Sequence, residues 1–318
     1  MNVPIDIRTV DKSATYRAPP QPPPLSLYVH FPWCARKCPY CDFNSHAQSD
    51  SGSEAAQLRS RYLQALREDL EAALPAVWGR TVHSVFIGGG TPSLMTGTEV
   101  DRLLSDIRML LPLAGDCEIT LEANPGTMEA QRFGEFRQAG VNRLSLGIQS
   151  FDDGQLAKLG RIHDAGQALR AAELAGQHFE RFNLDLMWAL PGQSLDQAVD
   201  DLQRALAFAP PHLSLYQLTI EPNTVFARFP PRLPDDDLAF RIQERLQELA
   251  CRAGYRHYEV SAYAQPGQHC VHNLNYWMFG DYLGIGAGAH SKLTLPDGIV
   301  RQERFSRPES YLQKASER

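Results

Sequence analysis

The sequence predicts an α/β fold, an incomplete barrel of six strand–helix units, on three observations. Six short apolar strands alternate with amphipathic helices, the pattern of a parallel sheet covered by helices and wound right-handed. Glycine and polar residues cluster where each strand ends, which gathers candidate chemistry at one mouth and favours a barrel over a doubly wound sheet. The chain has 318 residues, 43% hydrophobic and 21% charged, enough for a large core in one domain.

The elements follow in order. Residues 1–24 read as a polar arm ending in Pro19, Pro20, Gln21, Pro22, Pro23 and Pro24, irregular or polyproline because proline offers no ladder donor. The barrel core is expected over 25–254. Its first strand alternates Leu25, Leu27 and Val29 against Ser26, Tyr28 and His30. A helix over 56–74 carries Leu58, Tyr62, Leu66, Leu70 and Leu74 on one stripe. The second strand, Val82 to Ile87, opens into Gly88, Gly89, Gly90, Thr91 and Pro92. A helix over 97–111 leads to a strand from Glu118 to Ala123, then to a helix closed by Gly140. The fourth strand runs from Arg143 to Gln149, and Asp164 is a candidate N-cap for a helix over 165–176.

The fifth strand, Phe182 to Leu190, is apolar apart from Asn183 and Asp185, and Ser194 with Gln197 forms a candidate capping box behind it. The sixth runs from Leu213 to Ile220, and Asp235, Asp236 and Asp237 open the next helix. Residues 255–318 read as a β-containing extension, with strands over 255–264 and 282–295. No finishing element is visible, so a truncated further domain is expected.

The chemistry centres on the loop after the first strand, where Cys34, Cys38 and Cys41 hold half of the six cysteines. Three thiols so close suit thiolates on one metal centre better than a disulfide framework. On an iron–sulfur cube they leave one iron open to a small molecule. Zinc is the alternative, with His30 or His46 as fourth ligand. The net charge of −6 argues against general affinity for nucleic acid or anionic membrane. The N-terminus shows no signal-peptide segment, and a reducing cytoplasm suits free thiols.

Cys34-x-x-x-Cys38-x-x-Cys41 after a first strand, with Tyr40 before the last cysteine, resembles the radical S-adenosylmethionine (SAM) superfamily. The resemblance implies a partial (β/α)6 TIM-like barrel. It also implies a [4Fe–4S] cluster on the three cysteines, and SAM chelating the open iron for cleavage to a 5′-deoxyadenosyl radical. Tyr28 to Cys34, Gly88 to Pro92, Glu122 to Pro125, Gly147 to Phe151 and Asp185 to Gly192 further resemble the oxygen-independent coproporphyrinogen III oxidase group. By that resemblance Tyr28, Tyr40, Gly89, Gly90, Thr91, Glu122, Gln149, Arg161 and Asp185 bind the cofactor. A small helical C-terminal domain usually follows in this group, and it is expected to be absent or truncated here. For Glu122 and Asp185 the residues themselves add support, since a carboxylate inside an apolar parallel strand needs a partner.

The oxidases of this group carry a fourth cysteine two residues after the third, and here that position is Phe43. The segment Cys38 to His46 resembles instead a sister branch of heme chaperones. His272, Asn273, Tyr276 and Trp277 resemble that branch's heme-binding segment, with His272 as a possible iron ligand and the aromatic pair stacking on the macrocycle. The bland alternative has His272 capping a loop while Tyr276 and Trp277 fill core. His269, Cys270 and His272 also suggest a metal site, but lack a fourth partner. Cys117 and Cys251 read as small packed hydrophobes. The resulting expectation is a cytoplasmic protein that binds the cluster, SAM and heme as cargo. It would pass heme to an acceptor protein, such as a membrane-associated respiratory protein, with flavodoxin or ferredoxin as electron donor. The alternative is oxidative decarboxylation of coproporphyrinogen III to protoporphyrinogen IX.

Overall fold

The computed structural model describes residues 21–48, 52–126 and 130–316. Most of the expected proline-rich arm therefore lies outside the described residues. In chain order the elements are β1 (Leu25–Phe31), β2 (Trp33–Cys34), β3 (His46–Ala47), α1 (Ser53–Val77), β4 (Val82–Gly89), a 3-10 turn (Pro92–Leu94), α2 (Gly97–Leu110) and β5 (Leu113–Ala123). Then come α3 (Phe133–Ala139), β6 (Arg143–Gln149), α4 (Asp153–Lys158), α5 (Ala165–His178), β7 (Arg181–Trp188), α6 (Leu195–Ala207), β8 (His212–Gln217), α7 (Val225–Arg228) and α8 (Asp236–Arg252). The chain continues through β9 (Arg256–His257), β10 (Ala262–Ala264), α9 (Val271–Trp277), β11 (Asp281–Ile285), β12 (His290–Leu295), β13 (Gly298–Glu303) and α10 (Pro308–Ser316).

Helix starts follow local chemistry. Thr96 and Glu99, Asp164 and Gln167, and Ser194 and Gln197 close reciprocal capping boxes at α2, α5 and α6, each satisfying two otherwise unpaired backbone amides. Asp235 accepts from the Leu238 amide at 2.8 Å, so it caps α8 as well as complementing its dipole. Gly140 ends α3 in the left-handed region at φ 109°.

The chain divides into two compact units. The first comprises Met1–Ala35, Asn44–Thr120 and Val271–Arg318, and the second Arg36–Phe43 and Leu121–Cys270. In the first unit the strand order is β13-β12-β11-β1-β4. β1 is parallel to both β11 and β4, with Leu27 opposite Leu283 and Val85. Flanked on both edges, β1 is buried on its polar face too, and Ser26 Oγ meets Ser84 Oγ at 2.7 Å. The stretch expected as one strand over 282–295 is two, β11 and β12. The chain turns between them at Gly286 and Gly288, at φ 101° and 76°, and Gly284 inside β11 lets the two strands close, because a Cβ there would run into the His290 carbonyl. β13 and α9 are additional elements that the weak C-terminal periodicity did not signal, while α10 is the helix that the last residues suggest.

In the second unit the order is β6-β7-β8-β10-β9, the first three parallel. The strand expected over 255–264 is the short antiparallel pair β9 and β10. Leu159, Met187, Leu190, Leu218 and Phe226 form a core cluster against which Tyr40 packs.

Candidate functional site

The loop after β1 begins with Cys34 at the end of β2, where the Gln48 amide donates to its carbonyl at 2.9 Å. Cys38 and Cys41 close a tight turn through a 3.2 Å bond from the Cys41 amide to the Cys38 carbonyl. None of the three is in a disulfide and all are partly exposed, so the donor set fits a thiolate-bound cluster. Among the described residues, no three or more histidine, cysteine, aspartate or glutamate side chains are gathered tightly enough to hold a single metal ion. A cube, with each thiolate on its own iron, takes a wider spread of donors than one ion does.

The two histidines considered for zinc are engaged elsewhere. His30 is buried, with Nδ1 at 2.9 Å from Tyr28 Oη and Nε2 at 2.8 Å from the Asn44 carbonyl. Burial, partly offset by the Asn44 bond, holds it below the usual histidine range. His46 Nε2 lies 3.2 Å from Asn44 Oδ1.

The glycine turn after β4 is tight for a reason internal to the first unit. A Cβ on Gly90 would lie 2.5 Å from the Trp33 carbonyl oxygen, and one on Gly89, at φ 111°, would lie 2.5 Å from the His30 ring. The Gly90 and Thr91 amides donate to the Phe31 and Trp33 carbonyls at 2.6 and 2.7 Å. Both glycines are therefore required by the approach of the chain to itself.

In the second unit the cysteine loop is anchored at Pro39 and Tyr40. The Phe226 amide donates to the Pro39 carbonyl at 3.0 Å, and Pro39 packs on Gly160, where a Cβ would meet its ring at 2.7 Å. Burial in the apolar cluster pushes the Tyr40 hydroxyl well up, against the pull of Arg161. The Arg161 guanidinium donates to Asn124 Oδ1 at 2.6 Å and the Gly147 carbonyl at 2.9 Å, and Nη1 lies 3.7 Å from Cys38 Sγ. Burial opposes its charge, but Tyr40 and Cys38 beside it hold its pKa above the ordinary arginine value.

Asp185 sits mid-strand on β7, and its carboxylate accepts from Asn183 Nδ2 at 2.7 Å and Ser145 Oγ at 3.3 Å. Removal from water raises its pKa, with Ser214 and Asn183 opposing. Asn183 also donates to Ser145 Oγ at 2.8 Å and accepts from Ser214 and His212. Sequence reasoning missed this network, because only the pairing of β6, β7 and β8 brings Ser145, Asn183 and Ser214 side by side. Glu122 lies one residue before the end of β5; burial first, then the charges of Asp185, Glu122 and Glu259, keep the Tyr216 hydroxyl protonated. Gln149 ends β6 in the left-handed region at φ 68°, after an irregularity in the pairing with β7. Such strain in a non-glycine residue collects at functional sites.

The expected heme segment is α9 in the first unit. His272 is 4% exposed; its ring stacks on Phe86 at 4.4 Å and meets Tyr276 edge-on at 4.7 Å. Asn273 is half-buried. Tyr276, Trp277, Met278 and Phe279 are all exposed, with Trp277 53% and Phe279 81% accessible, so the aromatic pair does not fill core. His269 meets Tyr258 edge-on at 4.7 Å, and Cys270 is buried. Cys117 is packed as expected, and burial pushes its thiol up to about 11. Cys251 is exposed instead, on the open side of α8. Among the described residues no helix is long and apolar enough to cross a membrane.

Parallel strands carrying three clustered thiols in the loop after the first place the chain in a class of α/β iron–sulfur proteins. It belongs to the radical SAM superfamily, whose pattern its residues 28–205 match, and within it to the family of the HemW proteins. It is 55% identical over 293 residues to the heme chaperone HemW of Escherichia coli, covering 92% of this chain and 76% of that protein. With the heme chaperone HemW of Haemophilus influenzae the identity is 53% over 295 residues, 92% of this chain and 77% of the relative. The fold resembles that of the E. coli coproporphyrinogen III oxidase HemN, with a TM-score of 0.79 at 24% identity over 93% of this chain and 70% of that one. The superfamily's cofactors are a [4Fe–4S] cluster and SAM.

Proposed function

We propose that this chain is a heme chaperone of radical SAM fold, binding a [4Fe–4S] cluster, SAM and heme and passing heme to an acceptor protein. The observation that carries the reading is identity above 50% to two HemW heme chaperones over nine-tenths of the chain. The residue Phe43, where the oxidases have a fourth cysteine, agrees with it; its side chain is 62% exposed.

Cys34, Cys38 and Cys41 would hold the cluster. When bound, the cluster would anchor SAM at its open iron and supply an electron to the sulfonium. Tyr28, Tyr40, Gly89, Gly90, Thr91, Glu122, Gln149, Arg161 and Asp185 are the proposed cofactor residues. With the Gly90 and Thr91 amides already engaged, the glycine turn would offer carbonyl oxygens, the acceptors a methionyl ammonium needs. Heme would cover the exposed run from Tyr276 to Phe279, since a porphyrin face suits exposed aromatic rings. His272 could ligate iron only after its ring left Phe86. A reducing cytoplasm would keep the thiols free, a flavodoxin or ferredoxin would be a suitable electron donor, and a membrane-associated respiratory protein a suitable acceptor.

The test is anaerobic and uses the reconstituted chain, comparing stoichiometric heme binding with turnover of coproporphyrinogen III. Heme binding without turnover is expected. Conversion to protoporphyrinogen IX would overturn the chaperone reading. Cys38→Ala should abolish the visible absorption of the cluster, and a surviving spectrum would remove that ligand.

A further inference from the structure

We propose that Arg161 is a positioning residue for the iron–sulfur cluster: it ties the Cys38 turn to the strand ends of the second unit and raises the cluster's reduction potential. This rests on the reading above that Cys38 is a cluster ligand.

The geometry singles out the sulfur side. Nη2 has two hydrogens, and it donates both, to Asn124 Oδ1 at 2.6 Å and to the Gly147 carbonyl at 2.9 Å. These bonds fix the plane of the guanidinium. Nη1, in that plane, lies 3.7 Å from Cys38 Sγ, within range for a hydrogen bond to sulfur. A two-pronged grip on a cofactor carboxylate through both terminal nitrogens would require breaking one of the Nη2 bonds. The position is also built into the fold. Gly147 leaves space for the fork, since a Cβ there would stand 3.4 Å from Nη2 and 2.9 Å from Gln149 Nε2. Gly160, at φ 68°, turns the chain against Pro39 immediately before Arg161. The arginine thus meets the cysteine turn from the same packed corner that holds Pro39 and Tyr40.

The electrostatic consequence follows from charge. A guanidinium does not lose its proton in proteins, so Arg161 is a permanent cation beside a thiolate. Reduction adds one electron to an anionic centre, and a fixed cation with an N–H···S bond favours the more negative, reduced state. Hydrogen bonds to the sulfurs and local charge are the protein's main means of setting such potentials.

The test is a redox titration of the reconstituted full chain, following the reduced cluster by electron paramagnetic resonance, in wild type, Arg161→Met and Arg161→Lys. SAM affinity is measured alongside. At the wild-type midpoint, Arg161→Met should lower the reduced-to-oxidised ratio about tenfold, a downward shift of about 59 mV for a one-electron couple. Arg161→Lys keeps the charge without the fork and should fall between the two. Because Arg161 is also one of the proposed cofactor residues, SAM affinity should fall as well, so the midpoint is read in the absence of SAM. A midpoint unchanged in both variants would overturn the proposal, whatever happens to SAM affinity. If Arg161→Met takes up no cluster, Arg161→Lys decides: a lowered midpoint supports the role and an unchanged one overturns it. Failure of wild type itself to take up a cluster would refute the underlying reading instead.

Discussion

Replacing Asn183 with leucine should destabilise the apoprotein by about 4 kcal/mol. The side chain is 2% exposed and makes four hydrogen bonds, to Ser145 Oγ, Asp185 Oδ1, His212 Nδ1 and Ser214 Oγ. Leucine has the same branched heavy-atom shape with bulkier methyl groups, so no cavity opens, the loss is mainly polar, and any overpacking adds to it. The two serines can still turn to Asp185 Oδ2, which already accepts from Ser145 at 3.3 Å. His212 Nδ1 and Asp185 Oδ1 have no such substitute. At about 1–3 kcal/mol for each buried group left unsatisfied, the cost is about 2–6 kcal/mol. Urea unfolding of the apoprotein, followed by circular dichroism, measures it, with an unchanged m-value locating the effect in the native state. A loss below about 1 kcal/mol would refute the reasoning, because the polar groups would then be re-satisfied without Asn183. The reconstituted variant should also bind SAM more weakly, since Asp185 would lose the donor that orients it.

Three further outcomes are expected. Gly160→Ala places a Cβ at φ 68° and 2.7 Å from Pro39 Cδ; it should lower apoprotein stability by at least about 1–2 kcal/mol and slow cluster reconstitution, whereas a neutral thermal melt would contradict the packing. His163 is buried, and burial with the nearby Arg161 charge lowers its pKa to about 4. The unfolded chain therefore binds the extra proton between about pH 4 and 6.5, and this stability is present above 6.5 and lost as pH falls toward 4, by about 3 kcal/mol. His163→Gln should flatten that part of the stability–pH profile. Finally, Trp277→Ala alters a residue 53% exposed; heme affinity should fall while stability changes by no more than about 0.5 kcal/mol, whereas His272→Ala, which removes the ring stacked on Phe86, should lower both.

Much of this protein is local and was therefore legible in the order of its residues. The capping pairs Asp164 with Gln167 and Ser194 with Gln197, the left-handed stop at Gly140, and the strand from Arg143 to Gln149 involve neighbours a few residues apart. The three-cysteine spacing is equally local, and the superfamily's pattern is written in it. The branch followed from a single side chain, Phe43.

Tertiary structure decided what depends on partners distant in the chain. β11 lies parallel against β1, some 250 residues away, because strand order is set by burial of both faces and carries no local signature. The glycines at 89 and 90, to which the resemblance gives a cofactor role, are also required by the His30 ring and the Trp33 carbonyl. His272 was legible as a residue type, but only packing shows its ring closed against Phe86 while Trp277 stands open. In the same way the sequence determined that Cys38 is one of three clustered thiols. Only the fold brings Arg161, 123 residues later, to within 3.7 Å of its sulfur, because hydrogen-bond geometry and charge proximity are properties of space and not of order along the chain.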